Sequence, residues 1–162
     1  INGVSKTYAM TGWRIGYAVG QPDIISAMTT VLSHMTGNAA AVSQAAALAA
    51  LTGDQTPVAE MKAAFQQRLD RIYPLLAAVP GFKLEHKPQG AFYLFPDVSA
   101  AMAMKGITTT SDFVAAVLNE AHVALVTGSA FGLPGHVRLS YAADLATLLS
   151  AIERLTKFMT TP

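Results

Sequence analysis

The sequence predicts an α/β protein, because helical and strand patterns occur together along one chain. Apolar residues recur at helical spacing through residues 22–35, 39–51 and 57–79. From residue 80 onward, short strand patterns alternate with helices and are separated by turn residues. The change falls at Pro80-Gly81, so an earlier and a later region are expected, with the long helix of residues 57–79 between them.

The earlier region begins with two predicted strands and the loop that joins them. Pro22 then suits the first position of a helix, and Asp23 is favourable in the first helical turn. The break at Gly37 separates that helix from the next one. The elements predicted here are strands at residues 1–4 and 15–19 and helices at residues 22–35, 39–51 and 57–79.

The later region is predicted to contain short strands, two helices and a glycine-rich loop. Ser111 has a side chain suited to capping the first of these helices. The loop of residues 128–135 precedes the last strand. The predicted elements are strands at residues 82–85, 91–95, 123–126 and 137–141 and helices at residues 111–121 and 144–159.

Composition excludes several classes of function. With a net charge of +1 and 13% charged residues, neither nucleic acid nor an anionic membrane surface is an expected partner. No apolar run reaches the roughly 20 residues that span a bilayer. The chain has no cysteine, hence no disulfide and no thiolate metal site, which fits a cytoplasmic protein. The hydrophobic fraction of 52% fits either an alanine-rich helical protein with a good core or, as favoured here, apolar surface that packs on another part of a longer protein or on a second subunit.

The loop between the first two predicted strands carries the first candidate site. Lys6 and Arg14 stand eight residues apart, with glycines near both and no other charge between them. A lysine amine can act as a nucleophile and form a Schiff base, and a guanidinium can bind phosphate through paired hydrogen bonds. Gly12 and Gly16 leave room for close backbone approach. The spacing suits one lysine for a Schiff base and one arginine for a phosphate.

A second candidate lies on the predicted strand of residues 137–141. Side chains alternate along a strand, so Arg138 shares a polar face with His136 and Ser140, opposite an apolar face. An arginine on such a strand needs a carboxylate or a cleft to face. From the residues alone, a structural salt bridge and a cleft that binds a ligand are the two alternatives.

Several segments resemble the class I/II aminotransferases, the fold-type I enzymes related to aspartate aminotransferase. The sequence of residues 2–18, NGVSKTYAMTGWRIGYA, resembles the lysine segment of that family, and HVRLSYA at residues 136–142 is similar to its carboxylate-arginine segment. Gly-Ala-Phe-Tyr at residues 90–93 and the loop of residues 128–132 are also similar, and are interpreted mainly as architecture. These segments follow the order of the family over essentially the whole chain.

The resemblance implies a role for each candidate residue. The cofactor of the family is pyridoxal 5'-phosphate, and Lys6 resembles the residue that binds its aldehyde and moves the substrate proton. Arg14 matches the arginine that binds the cofactor phosphate, and Arg138 the arginine that binds the α-carboxylate of the substrate. The implied substrates are an amino acid, aspartate first, and a 2-oxo acid.

The resemblance also implies an architecture and an assembly. Residues 1–57 correspond to the C-terminal part of the cofactor-binding large domain, residues 58–79 to a connecting helix, and residues 80–162 to a small C-terminal domain. The large-domain part includes the edge of a sheet. Family members resembling the chain are homodimers with active sites shared across the interface.

Two positions depart from the family pattern. Many members carry a serine that touches the phosphate three residues before the lysine, where this chain has Gly3. In some aspartate aminotransferases, an arginine binds the second carboxylate of the substrate. The segment that carries it aligns roughly with Ser33 of this chain, and this chain has no arginine near that position. Either a basic residue earlier in the protein binds the second carboxylate of a dicarboxylic substrate, or the substrate is not dicarboxylic.

The start at Ile1, without an initiator methionine, predicts the C-terminal part of a longer enzyme. The fragment alone is expected to be inactive, because residues that the family uses against the cofactor ring lie upstream. Two other functions stay open for the complete protein. The first alternative to an aminotransferase is a β-lyase or decarboxylase on the same scaffold. The second is the aminotransferase-like sensor domain of a transcription regulator.

Overall fold

A computed structural model describes residues 1–161 of the chain. Helices and short strands are mixed, as predicted, and the chain divides into two compact units. The first is Ile1–Lys62 and the second begins at Ala63, so the boundary falls inside a long helix, α3 (Thr56–Ala77). The division into residues 1–57, 58–79 and 80–162 remains a prediction about the domains. Within residues 1–161, no helix combines the length and the apolar character needed to cross a membrane.

The first unit opens with a two-stranded antiparallel sheet. Strand β1 (Asn2–Gly3) pairs with β2 (Gly16–Tyr17), and Gly3 lies opposite Gly16. Both strands are shorter than predicted, because the chain between them turns through two local hydrogen-bonded turns instead of continuing the ladder. Val4, which directly follows β1, is 1% exposed and anchors the start of that connection.

Two helices follow the sheet in the first unit. They are α1 (Pro22–Met35), with Pro22 in the first turn as predicted, and α2 (Ala41–Thr52), in which Ser43 and Ala47 are buried. The apolar side chains of α1 recur at helical spacing but form no buried stripe. Their exposure lies between 41% and 74% for Ile24, Met28, Val31, Leu32 and Met35. We predict from the sequence that another part of the protein or a second subunit covers apolar surface, and this remains a prediction.

The second unit contains a three-stranded antiparallel sheet. Its strands are β3 (Tyr93–Leu94), β4 (Val126–Thr127) and β5 (Val137–Ser140), in the order β3-β5-β4. Strand β5 is central, with Leu94 opposite Leu139 on one side and Val126 opposite Arg138 on the other. The alternation predicted for this strand is confirmed, because Val137 and Leu139 are buried whereas Arg138 and Ser140 are not.

Helices pack around one hydrophobic core in the second unit. They comprise the C-terminal part of α3, α4 (Ser99–Met104), α5 (Thr110–Ala116) with a π-helical turn after it (Val117–Ala121), and α6 (Leu145–Thr160). The predicted stripe of α3 supplies Leu69, Ile72 and Leu76 to this core. Phe113 is fully buried at its centre, with Phe82 and Phe158 packed around it. Helix α4 was not predicted from the sequence.

The strand predicted at residues 82–85 is wrong. Only an isolated bridge forms there, in which the amide and carbonyl of Lys83 exchange hydrogen bonds of 2.8 and 2.9 Å with those of Asp97. In an antiparallel ladder the next bonded pair after Lys83 and Asp97 would be Glu85 and Phe95, and among residues 1–161 no backbone hydrogen bond joins those two residues. Pro96, between the two positions, faces the other side, where its carbonyl accepts from the amide of Val137.

The cap predicted for the next helix was also wrong. The N-cap of α5 is Thr109, whose Oγ1 accepts a hydrogen bond of 3.1 Å from the amide of Asp112 and donates one of 2.6 Å to its Oδ2. Ser111 lies two residues further, is exposed and lies inside the helix. The hydroxyl groups of Thr109 and Ser111 could both cap a helix. Thr109 is the cap because its backbone is still extended, as the N-cap position requires.

Thr109→Ala should lower the free energy of unfolding by about 1 kcal/mol, the typical cost of removing a hydroxyl N-cap. The amide of Asp112 would lose its acceptor at the first turn of α5. Urea unfolding with linear extrapolation measures this difference. Ser111→Ala is the matched control and should change the unfolding free energy little. Equal effects of the two substitutions would contradict the cap assignment.

Candidate active site

Lys6 lies in the connection between β1 and β2, where the chain makes a compact turn. The amide of Tyr8 donates to the carbonyl of Val4, and the amide of Ala9 donates to the carbonyl of Lys6, both at 3.2 Å. Ala9 adopts a left-handed conformation with φ of 54°. The Tyr8 hydroxyl donates to Oε1 of Gln55 at 3.0 Å, which ties the turn to the start of α3. Lys6 itself is exposed on this turn, whose backbone is fixed by these hydrogen bonds.

Arg14 follows a short 3₁₀ turn (Thr11–Trp13) in the same connection. Its backbone is left-handed, with φ of 49° and ψ of 47°, a conformation that costs energy for a residue with a side chain. Its Nη1 donates to the carbonyl of Thr11 at 2.9 Å, and the side chain is exposed. The local fold therefore turns the arginine back towards its own loop and leaves further N–H donors for a ligand.

These two side chains fit a pyridoxal phosphate cofactor in their chemistry. An exposed primary amine can react with an aldehyde, and an exposed guanidinium can bind a phosphate dianion. A Cβ added at Gly12, between them in sequence, would meet no atom within 4 Å, so the loop has open space beside it. Lys6 and Arg14 are thus brought into one loop of the first unit.

Arg138 lies in the second unit, on the central strand β5. Among residues 1–161, no carboxylate lies within ion-pair distance of its guanidinium, which argues against the structural salt bridge. The guanidinium carbon instead lies 4.5 Å from the ring centroid of Tyr93 and 4.5 Å from that of Phe131. The side chain is half-buried, so its charge remains accessible to a ligand.

The segment before β5 is held close to that strand by Gly128. Its amide donates to the carbonyl of His136 at 2.7 Å, and its carbonyl accepts from the amide of Leu133 at 3.0 Å. A Cβ added here would lie 2.4 Å from the oxygen of Leu133 and 2.5 Å from that of His136. Because both atoms belong to the backbone, only glycine permits this approach. The 3₁₀ turn Gly128–Phe131 is thereby fixed beside Arg138.

Two ionisable groups near β5 have shifted pKa values. The backbone amide of Ser99 donates to Oδ1 of Asp97 at 2.8 Å and lowers the pKa of that carboxyl, because the charged form accepts the bond. Burial raises the pKa of the Tyr141 hydroxyl, which donates to the carbonyl of Ala91 at 3.1 Å. The Tyr141 bond joins the residue after β5 to the segment before β3, whereas the Asp97 bond is local and lies at the start of α4.

The sequence analysis missed the contacts of Tyr93 and Phe131 with Arg138. Both residues stand in segments that were interpreted as architecture, and a single aromatic residue in a strand is usually part of the core. One signal was available, because Phe131 belongs to a glycine-rich loop where a large aromatic side chain has little core to enter. The partner ring comes from a strand 38 positions earlier in the chain, which no local pattern reveals.

The structure is thus a mixed α/β chain with a lysine–arginine loop in its first unit and a half-buried arginine on the central strand of the sheet in its second unit. The model of the family described as aminotransferase class I and II matches residues 1–155. The chain belongs to this family. It is 57% identical over 159 residues to an asparagine–oxo-acid transaminase of Streptococcus mutans and, also at 57%, to an aspartate aminotransferase of Geobacillus stearothermophilus.

Solved structures are similar as well. The aspartate aminotransferase of Rhizobium meliloti superposes with a TM-score of 0.88 at 44% identity, and the match covers 98% of this chain and 40% of that one. Both relatives named above are likewise matched over 98% of this chain and 40% of their own length. The chain therefore spans about two fifths of the relatives it matches. The predicted α/β class and family resemblance are confirmed.

Proposed function

We propose that this chain is the C-terminal part of a pyridoxal-phosphate-dependent aminotransferase that moves an amino group from an amino acid, aspartate first, to a 2-oxo acid. The observation that carries the proposal is the Lys6–Arg14 loop, which stands in a chain 57% identical to an aspartate aminotransferase. Pyridoxal phosphate, when bound, supplies an aldehyde for the amine and an electron sink for the α-carbanion. The remaining steps belong to the side chains of the protein.

Arg14 would bind the phosphate of the cofactor. Its guanidinium presents several N–H donors in one plane and stays charged at any working pH, so it can hold a dianion in a fixed orientation. The hydrogen bond from its Nη1 to the carbonyl of Thr11 occupies one donor and restrains the side chain. The phosphate contact would anchor the cofactor at the loop that also carries Lys6.

Lys6 would act first as the attachment point of the cofactor and then as the base. Once a substrate amine has displaced it, its free amine can accept the proton from the substrate α-carbon and return a proton to the adjacent cofactor carbon. The turn that holds Lys6, with its hydrogen bonds from Tyr8 and Ala9, keeps the backbone of the base in place between those two roles.

Arg138 would bind the α-carboxylate, which the amino acid and the oxo acid share. A bidentate contact would fix the rotation of the substrate about its α-carbon, and positioning of this kind increases the rate. The lack of an ion-pair partner within residues 1–161 supports this role. We extend the proposal to a homodimer, as the family resemblance implies, and to the cytoplasm, which a sequence without cysteine fits.

Asparagine is a second candidate donor. The Streptococcus mutans relative named for asparagine is as similar to this chain as the Geobacillus relative named for aspartate. Ser33, where some family members have an arginine for the second carboxylate, is compatible with an uncharged donor side chain. The two donors differ only in that distal group.

The complete gene product, reconstituted with pyridoxal phosphate, tests the proposal. Aspartate, asparagine, alanine and an aromatic amino acid are each supplied with 2-oxoglutarate, and both products are quantified by chromatography. Equimolar oxo acid and glutamate from aspartate or asparagine would support transamination and identify the donor. Ammonia or carbon dioxide in place of glutamate would favour a lyase or decarboxylase, and cofactor binding without product would favour a sensor. The isolated 162-residue chain should be inactive in the same assay.

A further inference from the structure

The Arg138 guanidinium lies against two aromatic rings that come from separate elements. We infer that Tyr93 and Phe131 are positioning residues that orient Arg138 for the α-carboxylate of the substrate. The inference rests on the proposed function, in which Arg138 binds that carboxylate. It adds two residues that act through the arginine and touch no reacting atom.

The three side chains meet because of the register of the sheet. Tyr93 on β3 lies opposite Ser140, two residues along β5 from Arg138, and is therefore the diagonal neighbour of the arginine on the same face. Phe131 ends the 3₁₀ turn that precedes β5. Both ring centroids lie 4.5 Å from the guanidinium carbon, within the distance at which a ring face attracts a cation.

The chemistry of the contact suits a carboxylate-binding arginine. An aromatic ring over a guanidinium covers a flat face of the cation, whereas the N–H donors point outward in the plane. A carboxylate partner would restrain Arg138 equally well, but it would occupy those donors and neutralise the charge. The rings restrain the side chain and leave both the donors and the charge for substrate.

Both rings are themselves supported. Phe131 packs edge-on against Phe95, with centroids 6.0 Å apart and planes at 84°, and Phe95 stacks on His136 at 5.4 Å. Tyr93 packs against Phe92 at 4.6 Å. Phe131 is nevertheless 49% exposed, so its position is explained by the contact with the arginine better than by core packing.

Substitution in the full-length enzyme tests the inference. Phe131→Leu and Tyr93→Leu should each raise the KM of the amino acid and of the 2-oxo acid about five- to thirtyfold, the loss of one cation–π contact, with kcat within about threefold. Phe131→Tyr and Tyr93→Phe keep a ring and should restore the KM to within about twofold. Leu133→Ala, at a residue of similar exposure two positions from Phe131, is the matched control and should leave both constants unchanged.

A second measurement separates this inference from the proposed function. Calorimetric titration with succinate and with propionate reports carboxylate binding without turnover. Weaker binding in both leucine variants, with recovery in the ring-retaining variants, supports the positioning role even if the wild type does not transaminate. Wild-type affinity in the leucine variants, or failure of the ring-retaining variants to recover, would overturn it. A wild type that binds neither probe would overturn it as well, because Arg138 would then hold no carboxylate.

Discussion

Lys6→Ala should lower the kcat of the full-length protein for transamination by at least about 10⁴-fold, the upper range for one positioned acid–base group. The substitution removes both the attachment point of the cofactor and the base that moves the α-proton. Product formation over hours and cofactor retention after gel filtration measure the two losses separately. We expect residual cofactor to remain through the Arg14 contact, but without turnover.

Lys62→Ala is the matched control for this experiment. Lys62 is another exposed lysine in the first unit and lies on α3, away from the loop. The control should keep wild-type kcat and cofactor content. A Lys6→Ala protein that retained a tenth of the wild-type kcat would show that another group is the base, and the assignment of the loop would fail.

The lysine–arginine loop was predictable because its determinants are local. Lys6 and Arg14 lie in one short connection between two strands, and both strands were expected from the same part of the sequence. The exposure of Arg138 beside buried Val137 and Leu139 was predictable for the same reason, because a period of two already separates the faces of a strand.

What the sequence did not predict depends on contacts between distant segments. The strand expected at residues 82–85 is reduced to one bridge, and the partner in that bridge, Asp97, belongs to a different segment of the chain. The cap of α5 is Thr109 and not Ser111, a shift of two residues within a run of hydroxyl side chains where local chemistry does not discriminate. Tyr93 contacts Arg138 through the strand order of the sheet, and Phe131 does so through the 3₁₀ turn that precedes β5.

Arg138→Ala should lower the kcat/KM of the full-length enzyme by about 10²- to 10⁴-fold for every substrate with an α-carboxylate. Two charge-assisted hydrogen bonds are lost, together about 3–5 kcal/mol of binding free energy. The kcat/KM should fall by a similar factor for the amino acid and for the oxo acid, because both carry the same carboxylate. Steady-state kinetics of both half-reactions measure the effect.

Arg138→Lys distinguishes geometry from charge at this position. A lysine keeps the positive charge but cannot form the planar bidentate contact, and it has no guanidinium plane to lie against Tyr93 and Phe131, so most of the loss should remain. Arg71→Ala, at an exposed arginine on α3, is the control and should behave as wild type. If Arg138→Lys restored wild-type kcat/KM, a point charge would suffice and the aromatic rings would have no orienting role. The expected result is that kcat/KM stays low in Arg138→Lys, whereas the KM recovers in Phe131→Tyr and Tyr93→Phe. Together these results would require that the orientation of the guanidinium, and not its charge alone, sets the affinity for the carboxylate.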